Sequence, residues 1–278
     1  MAFGVGNGYV AGMSCPSLTG PVGLTVLGSG SNGNALVLQA AGFTLLIDAG
    51  FSGIELRRRL EAAGLAAVRI DAMLVTHEHD DHVKGLRVTA KHFTAPAYCS
   101  RLTGEALRSR GDAPETLHLF TPGAAFALGP FEISPFSIPH DAIDPVAFGI
   151  QIGAFKLGLA TDLGHVSHLV ARHLRDCDLL LVESNHDLKM LRDSARPWNL
   201  KKRILGNHGH LSNDACADLL RQVLHPRTRH LVLAHASRDC NRSDLAEACA
   251  RQCIASLGRT DLVPMVARQD ACLPTLWL

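Results

Sequence analysis

The sequence lacks the features that would place the protein in a membrane or a secretory pathway. No Lys or Arg precedes Arg57, so the N-terminus has no basic region of the kind that begins a signal peptide. No apolar run approaches the roughly 18 residues that a membrane span needs. Charges of both signs balance to a net +1, so any contact with nucleic acid must depend on a local patch. We therefore expect a cytoplasmic protein with no membrane partner.

A structural zinc knuckle is also missing, because none of the cysteines forms a Cys-x-x-Cys pair. We expect reduced thiols that pack as small apolar side chains. The eight scattered cysteines are Cys15, Cys99, Cys177, Cys216, Cys240, Cys249, Cys253 and Cys272.

The order of local patterns along the chain predicts its fold. Residues 1–20 are rich in Gly and Ser without apolar periodicity, which is typical of a flexible leader. Short β-type runs such as GLTVL, ALVLQA and FTLLID follow, then helical segments such as IELRRRLEAAG, and then a second β-rich stretch. We predict an α+β protein in which residues 21–278 form a single domain, an αββα four-layer sandwich of two facing sheets with helices outside.

The densest chemical signal is THEHDDH, which directly follows a predicted buried strand ending at Thr76. It places four side chains, His77, His79, Asp81 and His82, within six residues. Imidazole nitrogens suit zinc and similar metals, carboxylates add hard oxygen ligands, and a loop after a rigid strand can converge them. The spacing favours a metal site over a solvated polar loop.

Three later polar residues also follow apolar runs, in SIPHDA, KLGLATDLG and HLVLAHAS. They are His140, Asp162 and His235. Taken singly, a histidine or aspartate in such a place is more often a surface residue or a satisfied buried group.

The His-x-His-x-Asp-His spacing resembles the metallo-β-lactamase superfamily, whose further ligands occur in the order in which these three residues are found. The resemblance implies two divalent metal ions per chain, zinc or manganese. One ion would take His77, His79 and His140. The other would take Asp81, His82 and His235.

The same resemblance assigns two further roles. Asp162 would bridge the ions, and Asp81 and Asp162 would be catalytic because they orient the attacking water. Asp48, at the end of FTLLID, would lie behind the ligand loop and orient it.

A competing motif lies in GSGSNG, where Gly28, Gly30 and Gly33 match the dinucleotide fingerprint and Asp48 lies twenty residues after Gly28. Only residues 34–42 separate the last glycine from the next predicted strand, which is too short for a crossover helix. We predict a turn between two strands of one sheet and no nicotinamide cofactor.

Segments of the second half narrow the resemblance. VESNHD, LKKRI and GHLSN, with LGSGSNGNA, HDAIDP and TDLG, resemble the WalJ/YycJ-type branch from about Leu24 to Asn241. That branch implies a 5′-to-3′ exonuclease on double-stranded DNA. A hydrolase of a small thioester, lactone or cyclic phosphodiester is the alternative, since one fold serves all these chemistries. A third possibility is a binding module that holds metal ions but does not hydrolyse a substrate. The oligomeric state stays open.

The substrate contacts follow from charge and position. Lys201, Lys202 and Arg203 form a basic run suited to a phosphate backbone, although such a run can equally be a solvated helix face. His210 could hydrogen-bond the scissile phosphate as a catalytic group. Ser212 and Asn213 either contact substrate or cap the following helix.

Overall fold

The computed structural model describes residues 20–278, so the predicted leader lies, apart from Gly20, outside the described residues. Within them two seven-stranded sheets form. The first sheet contains β1 (Gly23–Gly28), β2 (Ala35–Ala40), β3 (Phe43–Ile47), β4 (Ala72–Leu74), β5 (Ala97–Ser100), β6 (Leu117–Phe120) and the last strand, β14 (Leu276–Trp277). The second contains β7 (Phe126–Leu128), β8 (Phe131–Ser137), β9 (Val146–Ile152), β10 (Phe155–Ala160), β11 (Leu179–Glu183), β12 (His230–Ala234) and β13 (Pro264–Val266).

Helices cover the outer faces and the ends of the sheets. They are α1 (Gly53–Ala62), α2 (Asp80–Val83), α3 (Leu86–Phe93), α4 (Arg101–Arg110), α5 (His168–Leu174), α6 (Leu188–Asp193), α7 (Trp198–Leu205), α8 (Asn213–Val223) and α9 (Ser243–Ser256). Their ends follow local sequence signals: Ser100 accepts a hydrogen bond from Thr103 N at the start of α4, and Gly111 ends that helix at φ 75°.

Both sheets follow one plan, an antiparallel meander that continues as parallel strands. In the first sheet β1, β2 and β3 are antiparallel, and β4, β5 and β6 continue parallel to β3. In the second sheet β8, β9 and β10 are antiparallel, and β11, β12 and β13 continue parallel to β10. Strands β8, β10, β11 and β12 therefore end at the same edge of their sheet, where polar loop residues can converge.

The apolar side chains form three clusters that separate the layers. The central cluster joins the facing sides of the sheets, with Leu45 from the first and Leu181 from the second. A second cluster packs the other face of the second sheet, including Leu180, against α5, α8 and α9. The third packs the first sheet against α1, α3 and α4. Neighbours such as Leu180 and Leu181 thus point to different apolar layers, which is why these strands read as continuous hydrophobic runs. The predicted αββα sandwich is confirmed.

The glycine-rich motif is a turn, as predicted. Strands β1 and β2 are antiparallel neighbours, and residues 29–34 between them contain no helix. In residues 20–278, no helix is long and apolar enough to cross a bilayer. The seven cysteines within this range are all free thiols.

Candidate metal centre

Asp48 holds the THEHDDH loop in place from behind. It follows β3 in the left-handed region, at φ 59°, a conformation that aspartate tolerates better than most residues. Its carboxylate accepts hydrogen bonds from the backbone N–H and the hydroxyl of Thr76, both at 2.9 Å. His82 Nδ1 lies 2.7 Å from Asp48 Oδ2 and is the donor, because a carboxylate can only accept. The Nε2 of His82 is thereby directed into the site.

The glycine turn supports the same loop from its other side. Asn34 N donates to the carbonyl of Asp81 at 2.8 Å, and Gly50 N donates to the carbonyl of Asn34 at 2.9 Å. A Cβ at Gly50 would lie 1.7 Å from the Asp81 oxygen, so only glycine permits this approach. The motif that imitates a dinucleotide fingerprint therefore serves to brace the ligand loop.

The seven predicted ligands converge in two neighbouring groups that share no residue, and a third group joins Asp162 and His235 to Glu183 and His210. His77, His79 and His140 bring one nitrogen each within 4.8 Å of one another. Asp81, His82, Asp162 and His235 do the same with their nitrogen and carboxylate oxygen atoms. Asp162 lies between the groups: its oxygens are 3.2 Å from His82 Nε2, 3.4 Å from His235 Nε2 and 3.8 Å from His140 Nε2. This is the position that a bridging ligand requires.

The chemistry of the donors fits divalent metal ions. Among the described residues, His77 Nε2 and Asp162 Oδ2 are buried and have no hydrogen-bond partner. Leaving such atoms unpaired costs free energy, whereas a metal ion would satisfy them. His140 Nε2 lies 3.3 Å from His79 Nδ1, so two imidazole nitrogens point at one space. Mixed imidazole and carboxylate ligands suit zinc and manganese alike.

The pKa shifts agree with a cation site. Burial lowers the pKa of His77 well below its usual range, with the nearby His82 adding to the effect, so His77 is neutral and can bind a metal. Burial also opposes protonation of His82 and His235, but Asp162 and other carboxylates outweigh it and raise both pKa values well above the usual range. Positive charge is thus favoured there, and a bound metal ion would replace these protons.

Glu183 is a residue of the centre that the sequence analysis missed. It ends β11, is fully buried, and accepts hydrogen bonds from Leu163 N and Leu211 N, each at 2.9 Å. Its Oε1 also accepts from Nδ1 of His235 at 2.8 Å and from Nδ1 of His210 at 2.9 Å. Burial alone would raise the pKa of Glu183, but the charge of His210 and the hydrogen bonds from both histidines lower it to about 2. A glutamate at the end of an apolar strand, in VESNHD, was the available signal.

His210 lies at the open side of the centre. Its ring centroid is 5.3 Å from that of His140 and 5.2 Å from that of His235, and about a fifth of its side chain, 22%, is exposed. Burial lowers the pKa of His210, but the Glu183 carboxylate and its hydrogen bond outweigh burial and raise it. Because Nδ1 is bonded to Glu183, Nε2 is the nitrogen left for a substrate.

The basic run does not form one surface patch. Lys201 is buried, and its Nζ donates to the carbonyls of Arg192 and Ser194, both at 2.6 Å, so it closes the turn between α6 and α7. This corrects the expectation that Lys201 is available to phosphates. Lys202 is exposed, and Arg203 is exposed and pairs with Asp141 beside the predicted metal ligand His140.

Ser212 and Asn213 take structural positions. Ser212 is the N-cap of α8, and its hydroxyl accepts a hydrogen bond from Ala215 N at 3.1 Å. The Asn213 side chain is buried, accepts from Ser184 Oγ at 2.7 Å and exchanges hydrogen bonds with Asn241. The geometry favours capping for Ser212, whereas the Asn213 side chain does not cap the helix and is occupied by its hydrogen bonds to Ser184 and Asn241.

Comparison with known proteins agrees with this geometry. Residues 44–236 match the Beta-lactamase superfamily domain. The chain is 36% identical over 236 residues to exodeoxyribonuclease YycJ of Bacillus anthracis, covering 84% of this chain and 89% of YycJ. It is 34% identical over 227 residues to exodeoxyribonuclease WalJ of Streptococcus pneumoniae serotype 2, covering 80% of this chain and 84% of WalJ. The metallo-β-lactamase fold protein YhfI of Bacillus subtilis superposes on this chain with a TM-score of 0.69 at 17% identity, and the superposition covers 91% of this chain and 99% of YhfI.

Two facing sheets that present clustered histidines and aspartates at one edge define a metal-dependent hydrolase. The extent of the family match and the identity to YycJ show that the chain belongs to the metallo-β-lactamase superfamily. The predicted superfamily is thereby confirmed, and so is a hydrolase with a divalent metal site.

Proposed function

We propose that this hydrolase is an exonuclease that cleaves double-stranded DNA from a 5′ end, with two divalent metal ions, zinc or manganese, in the centre. The observation that carries the proposal is that two neighbouring ligand groups lie next to His210, which Glu183 holds at the open side. The relatives named exodeoxyribonuclease, alignable over most of the chain, support DNA as the substrate.

The residues divide the chemistry between them. When bound, the two ions would activate a water molecule and neutralise charge on the phosphoryl oxygens. Asp81 and Asp162 orient the attacking water through their carboxylates. The pKa of His210 is raised, so its Nε2 carries a proton. This N–H donates a hydrogen bond to a phosphate oxygen and stabilises the charge that develops there. Glu183 keeps this imidazole in its orientation. We also propose that Lys202 and Arg203, the exposed part of the basic run, contact the DNA backbone.

The proposal is tested by incubating metal-loaded protein with duplex DNA, single-stranded DNA and RNA, each labelled at either the 5′ or the 3′ end. We expect nucleotides to be released progressively from the 5′ end of the duplex, and the activity to disappear after chelation and return with zinc or manganese. Hydrolysis of a thioester, a lactone or a cyclic phosphodiester, with intact DNA, would instead establish the alternative function.

We expect His210→Ala to lower kcat on DNA by about 100-fold, the usual cost of removing one donor to a developing oxyanion, with little change in KM. Metal content is measured together with kcat, because His210 also belongs to a group of possible ligand atoms with Asp162, Glu183 and His235. Unchanged metal content assigns the loss of kcat to the contact with substrate. Single-turnover and steady-state kinetics measure the two constants. His92→Ala, an exposed histidine on α3, is the matched control and should behave as wild type. Equal kcat values for both variants would remove His210 from the mechanism.

A further inference from the structure

A second site adjoins the metal centre on the side of His235. An open cavity of about 400 Å³ lies between the loop that follows β12 and the loop that follows β13. Three arginines line it: Arg238, Arg242 and Arg268. All three are exposed, and none belongs to the basic run at residues 201–203.

The cavity and the metal centre are held together by the glycine turn. Ser29 N donates to the carbonyl of Arg268 at 3.1 Å, and Ser29 Oγ accepts from the backbone N–H of His235 at 2.9 Å. One residue thus bonds to the cavity wall and to a metal ligand. Asn32 N also donates to Gln269 Oε1, at 3.0 Å. A group bound in this cavity would therefore have a defined position relative to the metal ions.

The charges in the cavity favour an anion. Arg238 forms no ion pair with any residue in the described range 20–278. Arg242 pairs with Asp244 and Arg268 pairs with Asp270, each two positions further along the chain, and the two arginine side chains are 62% and 60% exposed. Such exposed pairs contribute little stability, and both engage Nε and Nη2, so Nη1 can donate elsewhere.

The one further acidic residue of the loop, Asp239, is neutralised from outside the cavity. Its carboxylate pairs with Arg196 at 2.9 Å, in the segment between α6 and α7. Three arginines therefore face two carboxylates, and the cavity keeps an excess of positive charge and of N–H donors. The forked guanidinium group fits phosphate oxygens better than a lysine ammonium does.

We propose that this cavity binds backbone phosphates of the DNA strand next to the phosphate that is cleaved, with Arg238, Arg242 and Arg268 as the contacts. The inference rests on the proposed nuclease function and adds where the substrate lies. Contacts to phosphate give affinity without reading bases, as a nuclease that degrades any sequence requires.

The test compares two triple variants with the same loss of charge. The first is Arg238→Ala, Arg242→Ala, Arg268→Ala. The control is Arg58→Ala, Arg221→Ala, Arg251→Ala, which removes three exposed arginines that also pair with nearby carboxylates. Binding to duplex DNA is measured by fluorescence anisotropy over a range of salt concentrations, with and without a 5′ phosphate on the duplex. Melting temperature and metal content verify that each variant is folded and loaded.

For the cavity variant we expect the slope of log affinity against log salt to become less negative by about 2 to 3, since each neutralised phosphate contributes roughly −0.9. KM for DNA should rise at least tenfold, while kcat at saturating DNA and turnover of a small generic phosphodiester stay as in the wild type. The control variant should keep the wild-type slope.

Several results would overturn the inference. Equal slopes for the two triple variants would show that the cavity does not bind DNA, while cleavage by the wild type would leave the proposed function intact. A loss confined to the duplex that carries a 5′ phosphate would assign the cavity to a terminal phosphate instead of the backbone. Failure of the wild type to bind or cleave DNA would reject the proposed function itself.

Discussion

The double variant His77→Ala, His79→Ala is expected to lose DNA hydrolysis by at least about a thousandfold, because metal ions supply several kcal/mol of stabilisation to the transition state. Two of the three ligands in the histidine group disappear, so one of the two proposed ions should be lost. Elemental analysis should then find one ion per chain where the wild type has two. Kinetics on labelled duplex DNA measure the loss of activity.

The fold should survive these substitutions. The predicted ligands lie at the edge of the sheets, outside the three apolar clusters. Thr76 Oγ1 lies 3.0 Å from His77 Nδ1, and it keeps its hydrogen bond to Asp48 when His77 is removed. The matched control is His92→Ala, His118→Ala, which removes two exposed histidines away from the centre. A double variant that keeps its full metal content and wild-type turnover would disprove the ligand assignment.

Glu183→Gln is expected to lower metal affinity about 10-fold to 100-fold, the usual effect of removing a partner that orients a metal ligand. Glutamine has the shape of glutamate but lacks its charge and keeps only one acceptor oxygen. Its N–H₂ group must therefore face either the Nδ1–H groups of His210 and His235, which meet at Oε1, or the two backbone N–H groups that meet at Oε2. In either orientation donors face a donor, and the two imidazoles lose the carboxylate charge that holds them. Titration with zinc or manganese measures the affinity.

For Glu183→Gln we expect kcat on DNA to stay low even when metal is saturating, because His210 is no longer held, whereas KM should change little. A purely structural role for Glu183 would instead lower the melting temperature and leave kcat at saturating metal as in the wild type. Glu132→Gln, at an exposed position on β8, is the control and should match the wild type in every measurement. Wild-type metal affinity and kcat in Glu183→Gln would show that the carboxylate does not position the site.

The sequence by itself was sufficient to predict the fold class and which seven side chains converge at one edge of the sheets. Both rest on local patterns: alternating short apolar runs separated by Gly and Pro, and polar residues directly after them. His77, His79, Asp81 and His82 are close in the chain, so one loop must bring them together. His140, Asp162 and His235 each follow a strand, and strands that run in one direction end at one edge. Their order along the chain, which is that of the further ligands in the metallo-β-lactamase superfamily, gave the expectation that they join the loop.

Other features depend on contacts between segments distant in the chain, and only the tertiary structure decided them. Lys201 is buried because the carbonyls of Arg192 and Ser194 lie where its ammonium group can reach them, which no charge pattern reveals. Glu183 bonds to groups from three separate loops, since those loops meet at its strand end. The arginine cavity joins the loops after β12 and β13, which are neighbours only because those strands pair. Local patterns determine which side chains a strand end presents, and the packing of distant loops determines what those side chains contact.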